Sequence, residues 1–177
     1  MPRRCFVLVA GIPGAGKSTL LRRLRATSDD AVVLDSDPIR EQLRKRLPEG
    51  TPYRRYRPLV HLWHRLHIVA AVLLAVGPVV VHLPATGAIT RGAMMLLALL
   101  AFRSRYLVWV HADTDQARQG QHSRGRVLGG SCFERHARRG EAFVQRLRVG
   151  YRPKGWRSTA LLDRDQARHG LVLATDQ

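Results

Sequence analysis

A stretch near the start of the chain combines glycines, a lysine and hydroxyl groups at a spacing suited to phosphate binding. Residues 11–19 read Gly-Ile-Pro-Gly-Ala-Gly-Lys-Ser-Thr and fit the pattern G-x-x-x-x-G-K-[ST] in full. Glycines let the backbone turn so tightly that several N–H groups point at one anion. Lys17 would reach the β- and γ-phosphates of a nucleoside triphosphate, and the Ser18 hydroxyl would bind Mg²⁺. The predicted nucleotide contacts are Gly11, Ile12, Pro13, Gly14, Ala15, Gly16, Lys17, Ser18 and Thr19.

The segments on either side supply the context that such a phosphate loop requires. Residues 6–10 are apolar without interruption, which is typical of a strand buried on both faces of a parallel sheet. Residues 20–24 continue as an amphipathic helix, whose positive N-terminal end would add to the anion site. A strand before the loop and a helix after it distinguish a phosphate loop from an ordinary glycine-rich turn.

Two aspartates after the second predicted strand are candidates for acid–base or metal chemistry. The strand spans residues 31–35, and Asp35 ends it, so its carboxylate could act as a general base or lie near Mg²⁺. Asp37 precedes Pro38, the combination that caps a helix at its N-terminus. The residues alone leave open which carboxylate takes part in chemistry, because Asp37 could serve as a helix cap and nothing more.

The rest of the chain alternates between strands and helices. A long helix is predicted after the basic and aromatic segment 53–57, with one apolar face at helical spacing. Its members are Leu59, Leu62, Trp63, Leu66, Val69, Ala70 and Leu73. Residues 89–103 form a second helix, apolar on all sides and therefore expected to be buried. Further strands are predicted at 79–82, 106–111 and 158–162.

This alternation predicts one α/β domain over residues 1–177. Its core would be a doubly wound parallel sheet of five strands, with ligands at the carboxyl ends of the strands. A helical hairpin over about 113–148 would act as a lid. Its tip, residues 122–130, is polar and glycine-rich and carries Arg124 and Arg126.

The net charge of +17 is the strongest global feature of the sequence. Such a charge attracts polyanions, nucleic acid above all. However, 27 of the 30 basic residues are arginine, a bias that a GC-rich coding sequence could also produce, so the charge does not by itself identify a partner.

The same composition argues against a secreted or membrane protein. Cys5 and Cys132 lie far apart and form no disulfide or metal pattern. The N-terminal residues lead directly into the first strand, and no uninterrupted apolar stretch reaches the ~20 residues of a membrane helix. We therefore expect a soluble, cytoplasmic protein.

Taken together, these residues resemble the small P-loop kinases. The resemblance rests on the phosphate loop 11–19, on Asp37-Pro-Ile-Arg40 after the second strand, and on an arginine-bearing hairpin before the fifth strand. The most similar groups are the polynucleotide 5′-kinases, the zeta-toxin-like kinases and chloramphenicol phosphotransferase. The resemblance implies a P-loop NTPase fold of the nucleotide-kinase type, with ATP and Mg²⁺ as cofactors.

The resemblance also assigns roles to individual residues. Asp37 would accept the proton of the attacking hydroxyl, and Arg40 would hold the acceptor or a neighbouring phosphate. Arg124 and Arg126 would close over the triphosphate and neutralise charge in the transition state. Arg118 is a weaker candidate for the same task.

One position departs from the pattern of many P-loop proteins, which place a metal-associated aspartate at the end of the third strand. Here that position is His82. Either Asp35 takes over near the metal, or the acceptor site differs. Thr86, four residues later, could contact the acceptor or a phosphate, but a plain turn is an equal alternative.

Histidines and aromatic residues complete the set of candidates. His61, His64 and His67 recur every three residues, but no carboxylate or cysteine accompanies them, so we expect a surface stripe rather than a metal site. Three aromatic residues lie among arginines in the sequence and could stack on a nucleobase: Tyr53, Tyr56 and Trp156. The alternative is that they pack under a loop.

The favoured function is transfer of the γ-phosphoryl group of ATP to the 5′-hydroxyl of a polynucleotide. A kinase that acts on an antibiotic, sugar or nucleoside is the first alternative. A non-catalytic nucleic-acid-binding protein that uses nucleotide as a switch is the second. The sequence does not determine the acceptor or the oligomeric state.

Overall fold

The computed structural model describes residues 2–28, 30–122 and 129–170. Strands and helices alternate along this part of the chain. The strands are β1 (Cys5–Ala10), β2 (Val32–Leu34), β3 (Val79–His82), β4 (Ser104–Val110) and β5 (Ser158–Leu162). The helices are α1 (Lys17–Thr27), α2 (Ser36–Arg46), α3 (Tyr53–Leu74), α4 (Ala88–Leu100), α5 (Thr114–His122), α6 (Gly130–Arg148) and α7 (Arg164–His169).

The five strands form one parallel sheet in the order β2-β3-β1-β4-β5. β1 lies at the centre, and each of its residues is fully buried. Its uninterrupted apolar sequence follows from this position, because helices cover both faces of a parallel sheet. The predicted doubly wound sheet is confirmed, and its topology brings the carboxyl ends of all five strands to one edge.

Alternate residues of β1 face two separate hydrophobic clusters. Val7 and Val9 pack with α1, α5 and α7, whereas Phe6 and Leu8 pack with α3 and α4 on the opposite face. α6 contributes to both clusters, with Phe133 to the first and Phe143 to the second. Because of this, α6 lies across the edge of the sheet where the phosphate loop begins.

The start of α2 differs from the prediction. Asp35, not Asp37, is the N-cap, and its carboxylate accepts a hydrogen bond of 3.3 Å from the Asp37 N–H. Asp35 is still extended as the chain leaves β2, which is the conformation that a capping residue requires. Asp37 is therefore in the first helical turn and is not the cap.

The exposed faces of α3 and α4 are the largest departure from the sequence analysis. The predicted apolar face of α3 is exposed at Leu59, Leu62 and Leu66, and a different set of residues is buried. That buried set, four residues apart, is Tyr56, Val60, His64, Ile68 and Val72. Of the described residues of α4, Ala98 alone is buried, so the expectation of a buried helix is wrong.

The prediction for α3 was wrong because it assigned the more hydrophobic face of the helix to the core. The face that is buried includes Tyr56 and His64, which carry polar atoms, and it is therefore less hydrophobic than the neighbouring face of leucines. α4 is apolar on all sides, so its sequence pattern does not show which side faces the sheet. In the described part of the chain, neither helix, nor any other, combines the length and apolar character of a membrane span.

A buried arginine joins the C-terminal ends of α3 and α4. Arg103 is only 1% exposed, yet its guanidinium donates to the carbonyl oxygens of Val72 at 2.6 Å and Gly77 at 2.8 Å. It also donates to the carbonyls of Cys5, Ala71 and Ala75. These bonds satisfy acceptors that the end of a helix leaves unpaired.

Candidate nucleotide and acceptor site

The phosphate loop follows β1 and has a backbone that only glycine adopts readily. Gly11 and Gly14 have φ angles of 145° and 91°. A Cβ on Gly11 would collide with the Val110 carbonyl oxygen, and one on Gly14 with the Ala117 carbonyl oxygen. β4 and α5 therefore press directly on the loop, and the glycines that the sequence singled out are required by this contact as well as by the turn.

Lys17 brings a positive charge to the centre of this loop. It is 4% exposed, and its Nζ donates to the carbonyl oxygens of Gly11 at 3.0 Å and Ile12 at 2.7 Å. α1 begins at Lys17, and among the described residues no side chain caps it and no acidic residue lies in its first turn. A lysine and the N–H groups of a helix start thus converge on one point, which fits a phosphate group.

The residues also fit a magnesium ion bound with the nucleotide. Ser18 follows Lys17 at the start of α1, and Asp35 comes two residues after Val33, which packs against the cluster that contains α1. Within the described residues no group of three or more His, Cys, Asp or Glu could hold a metal without help. Mg²⁺ in kinases typically takes only one or two protein ligands and completes its shell with phosphate and water, so a hydroxyl and a carboxylate are the kinds of donor that it would need here.

Asp35 is held as a carboxylate by the residues around it. His82 Nδ1 lies 2.9 Å from Asp35 Oδ1, at the end of the neighbouring strand. Burial raises the pKa of Asp35, but the hydrogen bond and charge of His82 and the Asp37 amide outweigh it and hold this pKa well below its ordinary value. The unexpected histidine at the end of β3 is therefore the partner of Asp35.

His64 lies behind this pair and is not on the surface, contrary to the sequence analysis. It is 2% exposed, and its Nε2 lies 3.1 Å from the His82 carbonyl oxygen. Its Nδ1 has no hydrogen-bond partner among the described residues. Burial lowers the pKa of His64, so the ring is neutral and donates to the carbonyl oxygen. Nothing in the sequence links positions 35, 64 and 82, which the sheet brings together.

Asp37 and Arg40 lie one turn apart near the start of α2, so the helix presents them side by side. The Arg40 guanidinium stacks on the Tyr53 ring, 4.8 Å from its centroid. Its Nε is buried and has no hydrogen-bond partner in the described part of the chain.

The aromatic candidates for base stacking are placed differently. Tyr53 lies under Arg40, and Tyr56 is buried in the cluster between α2 and α3. Trp156 packs against Phe6, near the amino ends of the strands and far from the phosphate loop. Tyr56 and Trp156 therefore act in packing.

α6 brings a histidine and several arginines to the phosphate loop. The Thr86 hydroxyl lies 2.6 Å from His136 Nδ1, and Gly140 approaches Ile12 so closely that a Cβ would lie 2.5 Å from the Ile12 side chain. Burial lowers the pKa of His136, and the positive charges of Arg139 and Lys17 lower it further. Thr86 was a candidate from the sequence, whereas His136, 50 positions away, carried no local signal that would have marked it.

Beyond Thr86 a cleft of about 620 Å³ opens between the start of α4 and α6. We call it the arginine cleft, because Arg91, Arg139 and Arg146 line it together with Phe143. Arg91 donates to the carbonyl oxygens of Ala85 at 2.8 Å and Thr86 at 2.9 Å and stacks on Phe143. The cleft adjoins the phosphate loop, because the Gly11 N–H donates to the Pro84 carbonyl at 3.0 Å.

The predicted lid is described only in part. α5 and α6 form its two arms, and Gly120 of α5 packs on the Gly14 carbonyl. Arg118 forms an ion pair with Glu134 and thereby joins the two arms. Arg124 and Arg126 lie outside the described residues.

Comparisons with solved structures agree with this fold. A chain of the Pnkp1/Rnl/Hen1 RNA repair complex is 15% identical, with a TM-score of 0.63 over 82% of this chain and 47% of the other. The present chain thus spans about half the length of that protein. A putative kinase from Chloroflexus aurantiacus is 15% identical, with a TM-score of 0.63 over 91% of this chain and 88% of the other.

A structure from the PezAT toxin–antitoxin system of Streptococcus pneumoniae is 13% identical, with a TM-score of 0.64 over 94% of this chain and 69% of the other. At such identities these likenesses show the fold alone. No curated protein is similar enough in sequence to match the chain.

The sequence itself matches the model of one protein family, described as an AAA domain, over residues 6–149. This range includes the phosphate loop, the Asp35–His82 pair, α2 and all of α6. Because the match covers most of the chain, the protein belongs to this family of small P-loop kinase domains, and it is a nucleotide-binding phosphotransferase.

Proposed function

We propose that this kinase transfers the γ-phosphoryl group of ATP, with Mg²⁺, to the 5′-hydroxyl of a nucleic acid. The observation that carries the proposal is the arginine cleft, which begins at Thr86, two residues after the Pro84 carbonyl that binds the Gly11 N–H, and which carries three arginines suited to a phosphodiester chain. A 5′-terminal nucleotide carries its nearest phosphate on the 3′ side of the same sugar. An acceptor hydroxyl at the loop would therefore have an anionic group close behind it.

The arginines of the cleft differ in how firmly they are held. Arg91 is fixed by two carbonyl oxygens and by Phe143, so it shapes the wall of the cleft. Arg146 stacks on Tyr151, 3.7 Å from the ring centroid, and Arg139 lies near Gly87 at the start of α4. Arg139 and Arg146 are exposed and therefore suited to binding phosphate oxygens.

The chain's own residues would divide the reaction as follows. Lys17 and the N–H groups of the loop hold the transferred phosphate, while Ser18 and Asp35 hold Mg²⁺, which supplies charge neutralisation on the phosphates. Asp37 accepts the proton of the acceptor hydroxyl as its oxygen bonds to phosphorus, and the bond to the β-phosphate oxygen breaks to release ADP. Arg40 orients the acceptor. Arg124 and Arg126, which lie outside the described residues, would stabilise the transition-state charge, as the resemblance to small P-loop kinases implies.

Transfer of label from γ-labelled ATP tests the proposal. We expect labelling of DNA or RNA oligonucleotides with a 5′-hydroxyl and none of the same oligonucleotides with a 5′-phosphate. Labelling of sugars, nucleosides or antibiotics but not of oligonucleotides would establish a small-molecule kinase and overturn the polynucleotide assignment.

A charge-matched pair of variants tests the cleft separately. Arg139→Gln/Arg146→Gln removes two charges from the cleft, and Arg138→Gln/Arg148→Gln removes two from exposed positions of the same helix that do not line it. We expect the first pair to raise the KM for an oligonucleotide at least ~10-fold and the second to change it less than ~3-fold. Equal effects would show that only the overall charge matters.

An Asp37→Asn variant tests the assignment of the base. Its amide cannot accept the proton, so we expect kcat to fall by roughly 10²–10⁴-fold while ATP still binds. Asp35→Asn is the informative comparison, because that carboxylate is already bound to His82 and the Asp37 amide. If Asp35→Asn abolishes turnover and Asp37→Asn does not, the roles of the two carboxylates are reversed.

A further inference from the structure

The outer faces of α3 and α4 expose more apolar surface than a monomer of this size usually does. We call this surface the α3–α4 apolar face. On α3 and just after it, it comprises Leu59, Leu62, Leu66, Val69, Leu73, Leu74 and Val76, which are 39–84% exposed. On α4 and just after it, it comprises Leu96, Leu99, Leu100 and Phe102, which are 44–89% exposed. Large continuous patches of this kind usually mark an interaction site.

The two parts of this face are continuous. α3 and α4 cover the same face of the sheet and lead into parallel strands β3 and β4, so they run side by side in the same direction. Arg103 bonds to the carbonyl oxygens of Val72 and Gly77 directly after α4 ends, which brings the C-terminal ends of the two helices together. Leu73, Leu74, Leu100 and Phe102 therefore share one end of the molecule.

From Leu66 onwards the face lacks charge, in a chain whose net charge is +17, whereas Arg57 and Arg65 lie beside Leu59 and Leu62 at its other end. Residues 66–102 contain a single charged side chain, Arg91, and that arginine points inward onto Phe143 and two carbonyl oxygens. Two copies of such a basic protein repel each other wherever their arginines meet. Two copies can approach each other across the uncharged part of this face without repulsion between their arginines.

Phe102 is an independent sign that the end of the face is built for contact. Its φ is +54°, and it is 89% exposed. The Phe102 N–H bonds to the Leu99 carbonyl and the Arg103 N–H to the Ala98 carbonyl, so α4 ends in the Schellman arrangement that normally places glycine here. A phenylalanine in this strained and exposed position has no use in the fold of the described residues, and such strain is typically kept for function.

From these observations we infer that the α3–α4 apolar face binds a second copy of this chain. A symmetric pair would bring the same face of both copies together, as in most homodimers. The exposed apolar side chains offer on the order of 1,000 Å² per copy, which meets the ~800 Å² per partner of a stable interface. An anionic membrane fits less well, because helices that lie on such membranes carry lysine or arginine along the contact, and from Leu66 onwards this face carries none apart from the inward-pointing Arg91.

The pairing leaves the phosphate loop accessible. The helices end near the amino ends of the strands, whereas the loop lies at their carboxyl ends. The inference is therefore independent of the proposed acceptor, and its test does not use kinase activity.

Sedimentation velocity over a hundredfold range of protein concentration tests the inference. We expect the wild-type chain to be a dimer that dissociates on dilution and that becomes tighter as salt is raised, because salt screens the repulsion between the basic copies. Phe102→Gly should weaken the dimer at least ~10-fold, while the unfolding temperature, measured at a concentration at which the wild type is monomeric, stays the same or rises because glycine relieves the strained φ angle. This variant thus separates loss of contact from loss of fold.

Ile89→Ala is the matched control. Ile89 is 90% exposed on the same helix, but at its other end, roughly 20 Å from Phe102. We expect the control to dimerise like the wild type. A wild-type chain that stays monomeric at every concentration overturns the inference, whether or not it binds anionic vesicles. A Phe102→Gly variant that dimerises as tightly as the Ile89→Ala control also overturns the inference.

Discussion

Lys17 is the residue on which nucleotide binding depends most directly. Its ammonium group is buried beneath the loop and bonded to the Gly11 and Ile12 carbonyl oxygens, so its position is fixed before a phosphate arrives. Such preorganised charge stabilises a transition state at little cost in reorganisation.

We therefore expect Lys17→Ala to lower kcat/KM by roughly 10²–10³-fold, with a clear loss of ATP affinity. Labelled-phosphate transfer and calorimetric titration with ATP would measure the two effects. Lys45→Ala, an exposed lysine of α2, is the control and should change neither. A Lys17→Ala enzyme with normal affinity and rate would contradict the phosphate-loop assignment.

The buried histidine His64 should make stability depend on pH. Burial holds its pKa below the ordinary value of about 6.5, so in acid the unfolded chain takes up a proton that the folded chain does not. Stability is therefore lost as pH falls below about 6.5, towards the lower pKa of the folded state. His61 and His136, whose pKa values burial also lowers, act in the same direction.

We expect His64→Gln to reduce this pH dependence, because the glutamine amide can donate to the His82 carbonyl oxygen but does not titrate. The free energy of unfolding, measured by urea denaturation between pH 5 and pH 8, would show a smaller slope than in the wild type, by at most ~1.4 kcal/mol per pH unit. His67→Gln, at an exposed position one turn away, should leave the slope unchanged. An identical slope in both variants would rule out His64 as the source.

For individual residues, the sequence predicted the phosphate loop but not the side-chain contacts around it. The phosphate loop is a local motif, and all of its residues are consecutive. The Asp35–His82 pair and the Thr86–His136 contact join residues that are 47 and 50 positions apart, and the parallel sheet brings the first pair together while α6 supplies the second. Asp37 was predicted as a helix cap because Pro38 follows it, whereas Asp35 is the residue with the extended backbone that a cap needs.

Among the secondary-structure elements, α3 and α4 share a hydrophobic cluster and are also joined at their C-terminal ends by Arg103. Because this guanidinium bonds to five carbonyl oxygens, its removal leaves several buried acceptors unpaired. Methionine has a similar length but no donors.

We expect Arg103→Met to lower the free energy of unfolding by at least ~3 kcal/mol, measured by urea denaturation. Arg105→Met removes the same charge two residues away, where the guanidinium is only partly buried and bonds to the Gly155 carbonyl oxygen. Its loss should cost about 1 kcal/mol. Similar costs for both variants would mean that Arg103 does not join the helices in solution.

α5 contacts the phosphate loop through two glycines. A Cβ on Gly120 would collide with the Gly14 carbonyl oxygen, so a methyl group there must push α5 away from the loop. In an isolated helix the same change would be favourable by about 1 kcal/mol, because alanine is the better helix former.

We therefore expect Gly120→Ala to weaken ATP binding by about 10-fold, although Gly120 need not touch the nucleotide. Gln119→Ala, on the exposed side of α5, is the control. Titration with ATP would decide, and unchanged affinity in Gly120→Ala would show that the position of α5 does not matter to the loop.

The presence of each helix could be predicted from the sequence, but which side of α3 faces the sheet could not. Strands and helices appear where the pattern placed them, because period and length are local properties of the sequence. Which side of α3 faces the sheet depends on His64, whose burial requires the carbonyl oxygen at the end of β3. The sequence could not show that partner, so the more apolar leucine stripe was assigned to the core.

For the molecule as a whole, the charge of +17 should control the acceptor reaction. If the acceptor is a polynucleotide, each phosphate bound by an arginine releases counterions, and log KM rises with log salt in proportion to the phosphates bound. We expect KM for an oligonucleotide to rise steeply with added salt and KM for ATP much less. A KM for the oligonucleotide that does not respond to salt would make the charge irrelevant to the acceptor.

The arrangement of Trp109 has a practical consequence. This tryptophan is 1% exposed, its ring lies 4.7 Å from Phe143, and the Arg91 guanidinium stands 5.8 Å from it at the floor of the arginine cleft. Trp63, by contrast, lies on α3 and bonds to His67, and Trp156 packs near the opposite ends of the strands. Indole emission responds to nearby charge and to changes in packing. The protein therefore carries its own optical reporter, in which the fluorescence of one buried ring would register what enters the cleft without any added label.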